Sequence, residues 1–356
     1  MTAQASLDTP SLYTSVGERL DELISPFGLD SQRETIREAY ELLCRRSLDV
    51  SAGRRPLHGS RLNEDGTPFQ LALSLAGSTA RLQFISDIGP LSAGNAERGA
   101  AVRRCLPRIA RALGTPMWVS HLSEVLDELA PQDDPDLLAD DSGPAWVGVS
   151  FAAGRPGSLK IYINARWGSE ISQWARLAAF AEIARVTRRW RDVRARTAEL
   201  EPLGVSLTVA AGASPNYRIY LGGYGRPFGY YEDLARLGGG AALAGLVRRY
   251  GRIVLADGYD RPTRSAVWSL GAEDGEFVDN KLELCGHCVF QDDEKARERA
   301  LAWLRATDTS TVSYTHAVDV LSGARSRTRL HAYLGVGANR GRPYSTFYFN
   351  PAATLG

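Results

Sequence analysis

The chain has 356 residues, room for two domains of about 150 residues or one large barrel. Its 42 Lys and Arg balance 41 Asp and Glu, a net charge of +1, which argues against a dedicated nucleic-acid binder with a basic surplus. A 44% hydrophobic and 23% charged composition excludes wholesale disorder. The four cysteines, Cys44, Cys105, Cys285 and Cys288, are too few and scattered for a secreted disulfide scaffold. Residues 1–10 lack the basic-then-apolar pattern of an export leader, and no apolar run approaches the ~20 residues of a spanning helix. A soluble cytoplasmic protein, monomer or homodimer, without membrane or nucleic-acid partner, is expected.

In chain order, residues 18–46 repeat Leu, Ile and Ala at helical spacing. Two strand-like runs follow, 69–75 and 80–85, around Gly77-Ser78. Helical spacing returns over 101–113 and 119–129, then a hairpin at 146–151 and 159–163. The stretch 171–200 is helical and precedes a hairpin at 205–210 and 217–221. Residues 231–250 read as helix, 266–270 and 277–284 as a hairpin. Helices at 295–305 and 312–321 lead to the last hairpin, 330–336 and 345–349. The hairpins start near 69, 146, 205, 266 and 330, so a helix-helix-strand-strand unit recurs about five times. The expected fold is α+β: a ten-stranded antiparallel β-barrel enclosed by a ring of α-helices. It forms one domain over 1–356, with a helical N-terminal segment 11–47 and strands from about 69 to 349. Closing ten strands removes every sheet edge and leaves room inside for small molecules. The competing arrangement is two α+β domains with open sheets, and it has no continuous lumen.

The second strand of each hairpin carries the chemical signal. Side chains alternate faces along a strand. Lys160 and Tyr162 therefore oppose Leu159, Ile161 and Ile163; Arg218 and Tyr220 oppose Ile219 and Leu221; Lys281 and Glu283 oppose Leu282 and Leu284. Arg81 alternates with Leu82 and Phe84. In the fifth hairpin Tyr333 and Tyr348 lie on the two strands, with Arg340 and Arg342 in the turn. With apolar faces against helices, the cations point into a lumen. Buried cations are costly unless paired. Glu283 and Asp87 can pair with some of them, and a diphosphate suits the remainder. Tyrosine faces beside them stabilise a cation and exclude water.

In order and spacing these residues resemble the aromatic prenyltransferases of the ABBA, or PT-barrel, fold, the dimethylallyltryptophan synthase type in particular. The resemblance runs over residues 60 to 351. It rests on Pro68, Gln70, Arg81 and Asp87-Ile88-Gly89-Pro90, then Lys160-Ile161-Tyr162, then Asn216-Tyr217-Arg218-Ile219-Tyr220, then Tyr333 and Tyr348. Each motif is short; the order carries the likeness. It departs from the family in three places. Gln70 replaces a glutamate that accepts an indole N–H, and an amide is no base at neutral pH. Asn216 replaces an arginine, and Arg218 a lysine.

The resemblance implies transfer of a dimethylallyl group from dimethylallyl diphosphate to an electron-rich ring, an indole or tryptophan derivative first. Donor variation extends to geranyl diphosphate. Arg81, Lys160, Arg218, Lys281 and Arg340 would hold the diphosphate, and Tyr162, Tyr220, Tyr333 and Tyr348 would shield the allylic cation. Gln70 would orient the acceptor, while Glu283, His331 or the released diphosphate would take the ring proton. No cofactor is expected and no metal is obligatory, though magnesium is compatible. The alternatives are a phenolic or other non-indole acceptor, or a barrel that binds a ligand without catalysis.

Other signals carry less. Asp133-Asp134-Pro135-Asp136 and Asp140-Asp141 lack magnesium-motif spacing and read as a solvated linker. Cys285-Gly286-His287-Cys288 lacks the second cluster that a structural zinc site requires. Gly222-Gly223-Tyr224-Gly225 reads as a glycine-rich connection, and the arginines between 185 and 196 as a solvated helix face.

Overall fold

The protein is described by a computed structural model over residues 11–49, 60–63, 66–90, 92–259, 263, 265–322 and 329–351. Helix α1 (Leu12–Ile24) begins at Ser11, whose Oγ accepts the Thr14 N–H and satisfies one orphan donor of the first turn. A Ser-Pro-Phe turn ending at Gly28, φ 66°, separates it from α2 (Arg33–Cys44). The single helical stretch expected over 18–46 is thus two helices packed on each other. Strands β1 (Phe69–Ala76) and β2 (Thr79–Asp87) form the first hairpin. Helices α3 (Asn95–Ala112), α4 (Val119–Leu129) and the short α5 (Pro135–Ala139) lead to β3 (Ala145–Ala152) and β4 (Ser158–Asn164).

The next stretch breaks at Arg185, φ 60°, into α6 (Glu170–Ile183) and α7 (Thr187–Arg196), before β5 (Glu201–Ala210) and β6 (Asn216–Gly223). Helix α8 (Phe228–Val254) is kinked at Gly240, whose φ of 71° and ψ of −167° only glycine adopts cheaply. Strands β7 (Ala266–Glu273) and β8 (Glu276–Cys285) follow. A single turn, α9 (Gly286–Val289), precedes α10 (Asp293–Ala306) and α11 (Val312–Ser322). The chain returns in β9 (His331–Asn339) and β10 (Arg342–Phe349).

All ten strands pair antiparallel with their sequence neighbours, and β10 closes on β1 through Leu71 opposite Phe349. The open two-domain arrangement is thereby excluded: one closed barrel leaves no unpaired strand edge. Alternation then sorts the side chains. Leu71, Leu82, Phe84, Val147, Ile161, Leu207, Leu282 and Phe347 point outward and are buried under the helices. The residues that alternate with them, Gln83, Lys160, Arg218 and Lys281 among them, point inward. The aliphatic core therefore lies between barrel and helices, while the barrel interior is polar and aromatic.

The five hairpin turns all lie at one end, because each connects an odd strand to the next even one. Two are two-residue turns with positive φ at both positions, Asp274-Gly275 and Arg340-Gly341, the backbone that matches strand twist. The helical crossovers occupy the other end.

Candidate active site

A cavity of about 760 Å³ lies inside the barrel at the hairpin end. Six cationic side chains line it: Arg81, Arg155, Lys160, Arg218, Lys281 and Arg342. Arg81, Arg155 and Arg342 are exposed at the mouth, and the other three lie deeper. Two deep cations have carboxylate partners. Arg218 meets Asp279 at 2.5 Å and donates to Ser269 Oγ at 3.0 Å. Burial opposes the Arg218 charge, but Asp279 outweighs it and holds the proton more firmly. Lys281 lies 2.6 Å from Glu283 and donates to Tyr348 Oη at 2.9 Å.

Lys160 has no carboxylate partner among the described residues. Its ammonium donates to Tyr220 Oη at 2.9 Å, 4.2 Å from the centre of the Tyr162 ring and 5.7 Å from that of Tyr220. Burial, then the positive Arg218 and Lys281, push its pKa well below that of a free lysine. An uncompensated ammonium held against two aromatic faces is a site that wants an anion. Lys160 and the three mouth arginines thus form a surplus of positive charge, with no ion-pair partner for any of the four among the described residues. On the rim Glu273 is engaged by Arg340 and Asn216, each at 3.0 Å.

Beyond the cations lies an aromatic compartment. Ala72, Ile85 and Tyr348 are buried there, and Leu62, Trp146, Tyr162 and Tyr333 pack against them. All four are half-buried, and Trp146, Tyr162 and Tyr333 sit on strands of the closed barrel, so open space reaches them. The Tyr162 and Tyr220 rings are 6.0 Å apart, and Tyr333 and Tyr348 meet edge to face at 6.1 Å. Burial raises the pKa of Tyr162, Tyr220 and Tyr348, so these rings are neutral phenols. Gln83 donates to Tyr162 Oη at 2.8 Å. At the compartment's edge Gln70, opposite Ile85, is buried and donates to Asn63 Oδ1 at 3.1 Å.

No family profile and no curated protein sequence matches the chain. Solved structures do. The 5-dimethylallyltryptophan synthase of Streptomyces coelicolor superposes with a TM-score of 0.83 at 19% identity, covering 98% of this chain and 100% of that one. The 6-dimethylallyltryptophan synthase of Micromonospora olivasterospora, solved in complex with DMASPP and Trp, gives 0.84 at 18%, covering 98% and 99%. AnaPT of Neosartorya fischeri gives 0.74 at 13%, covering 98% and 97%. The chain folds as a PT barrel.

Within this PT barrel, Arg81, Lys160, Arg218 and Lys281 line one cavity, with Tyr348 among them. Tyr162 and Tyr220 flank Lys160, and Tyr333 joins Tyr348. Three expectations need correction. Arg340 sits in the tight turn between β9 and β10, exposed, and reaches Glu273 on the rim, outside the cavity lining. His331 opposes Phe349 past an irregularity in the β9–β10 register, which turns it into the helical layer. There its ring bonds Asp293 at 2.9 Å and Tyr314 at 2.8 Å, away from the lumen. Asp87 is buried against Arg98 and Ser60 and is no counter-ion for the lumen cations.

Sequence reasoning missed Asp279, Tyr344, Arg155 and Asn63. Asp279 shares the face of Lys281 and Glu283, and Tyr344 that of Tyr348, so alternation reaches both, one step beyond Lys281 and two beyond Tyr348. Tyr344 donates to Asp279 at 2.8 Å. Arg155 sits in a hairpin loop, where no period marks direction. Elsewhere, Asp134 caps α5 and Asp141 pairs with Arg61, as a solvated linker would. Cys285, His287 and Cys288 bring three ligand atoms within 4.8 Å of one another, one short of a closed zinc tetrahedron. Among the described residues no helix is long and apolar enough to cross a membrane.

Proposed function

We propose that the protein transfers a dimethylallyl group from dimethylallyl diphosphate to the ring of an indole or tryptophan derivative. The observation that carries this is Lys160: an ammonium without a carboxylate, held over the Tyr162 ring and facing a cavity with unpaired arginines at its mouth. The leaving diphosphate sits between Lys160 and Arg81, Arg155 and Arg342, and their charge stabilises it as the C–O bond breaks. The allylic cation forms among Tyr162, Tyr220, Tyr333 and Tyr348, which stabilise it as they do Lys160 and keep water away. The acceptor ring stacks in the aromatic compartment and attacks. Its proton then leaves to Glu283, whose carboxylate faces the lumen beside Lys281 and Tyr348, or to the released diphosphate. The fold likeness supports this reading, since a similar structure was solved with DMASPP and Trp. Lysine and arginine supply the charge a metal would otherwise give, so magnesium is compatible but not required.

The test is mass spectrometry of products from the purified protein with dimethylallyl or geranyl diphosphate and a panel of indoles and phenols. A mono-prenylated indole is expected. Diphosphate release without any prenylated acceptor, or no turnover with the whole panel, refutes the proposal.

A further inference from the structure

The turn that leaves β8 gathers three soft ligands. Cys285 is the last residue of that strand, and His287 and Cys288 lie in α9. Cys285 is buried, the other two are half-buried, and both cysteines carry thiols. The two sulfurs and an imidazole nitrogen all lie within 4.8 Å of one another. Cys285 Sγ is 3.3 Å from His287 Nδ1 and 3.1 Å from Nε2, so the ring edge between the two nitrogens faces the sulfur. Zinc bonds sulfur at about 2.3 Å and imidazole at about 2.0 Å, which sets tetrahedral ligand atoms about 3.5–3.8 Å apart. Closing this set on an ion takes side-chain shifts of about 1 Å and a turn of the ring that aims one nitrogen. The backbone already holds the cluster in place. A Cβ at Gly286 would come 2.2 Å from the His331 carbonyl, so glycine is what lets the turn lie against β9. The Phe290 N–H closes the turn on the Gly286 carbonyl at 2.8 Å. Cys285 pairs with Tyr333 at the helical-crossover end of the barrel, and none of the three residues lines the cationic cavity.

We propose that Cys285, His287 and Cys288 form a three-ligand site for one zinc ion, with the fourth position left to water. The donor chemistry selects the ion: two thiolates and an imidazole suit zinc, whereas magnesium prefers oxygen. Only a four-ligand structural site needs a second Cys/His cluster; three protein ligands and an open position are a complete zinc site of the other kind. All three ligands come from one four-residue stretch, so binding closes no long loop and costs little chain entropy. Each thiol gives up its proton as its sulfur bonds the ion, so uptake of one Zn2+ releases up to two protons. The bound ion ties the end of β8 to the turn docked on β9. It stands apart from the prenyl transfer proposed above and does not depend on it.

The test titrates the full chain, reduced with a phosphine and stripped of metal, with Zn2+ against a chromophoric chelator and with Co2+ as an optical probe. One Zn2+ per chain should bind with a dissociation constant of about 1 μM or below, short of the affinity of four-ligand sites. Co2+ should give a thiolate charge-transfer band, and Mg2+ in roughly thousandfold excess should displace neither ion. Cys288→Ser should halve the Co2+ band and weaken Zn2+ binding by roughly a hundredfold or more. His287→Ala should weaken Zn2+ binding comparably while keeping the band. Zn2+ should raise the unfolding temperature of the wild-type protein but not that of Cys288→Ser. Absence of stoichiometric Zn2+ binding by the reduced protein overturns the proposal. So does binding that stays at wild-type strength in Cys288→Ser or in His287→Ala, and either variant decides alone should the other fail to fold.

Discussion

Replacing Lys160 by methionine should move activity and stability in opposite directions. The ammonium has no carboxylate partner, and burial with Arg218 and Lys281 nearby depresses its pKa. For catalysis, it is the deepest unpaired cation facing the cavity. Removing one pre-oriented donor to a developing oxyanion costs roughly 10²–10³ in rate, or about 2.7–4 kcal/mol. For stability the sign reverses. A lysine whose folded pKa lies below its unfolded value is penalised by folding while it is charged. That penalty is full below the folded pKa and fades as pH rises toward the unfolded one. Methionine removes the penalty, and the Tyr220 hydroxyl keeps Ser206 as a partner at 3.1 Å, so no polar group is orphaned. Net stabilisation of about 1–2 kcal/mol is expected at pH 7 by analogy with other buried charges replaced by apolar groups. The assays are kcat/KM for dimethylallyl diphosphate by product chromatography and denaturant unfolding at pH 7 and pH 10. The stability gain should shrink at the higher pH. A variant with wild-type kcat/KM would refute the leaving-group role, and one less stable than wild type would refute the electrostatic account of Lys160.

Two further outcomes follow from paired groups. Arg218→Met should destabilise by about 3–5 kcal/mol because it strands the buried Asp279, whereas the double variant Arg218→Met with Asp279→Leu should recover most of that loss in urea unfolding. Asp293 accepts from the His331 ring and from the backbone N–H groups of Leu330 and His331. Burial raises its pKa, but these bonds outweigh burial and leave it below the usual carboxylate value. Its contribution is therefore present above the unfolded pKa and lost as pH falls through the folded one. His331→Gln should cost about 1–3 kcal/mol in unfolding yet leave kcat near wild type at a temperature where it stays folded. A large fall in kcat with unchanged stability would return His331 to the site.

The alternation of Lys160 with Ile161 and of Arg218 with Ile219 was readable because a strand period of two forces neighbouring side chains apart, whatever the rest of the chain does. The same rule, with glycine-bearing turns between the runs, made five hairpins and their closure legible. Helix breaks at Gly28, Arg185 and Gly240 were less so, since an apolar period continues across a single left-handed residue. Which charges neutralise each other lay beyond the sequence. Arg218 finds Asp279 across two paired strands, and Asp87 is taken by Arg98 from a helix eleven residues on, because barrel register and helix docking bring those atoms together. His331 shows the limit most sharply: one irregularity in strand pairing turns it from lumen to helical layer. Local period decides which residues share a face, but only the closed tertiary structure decides what each face meets.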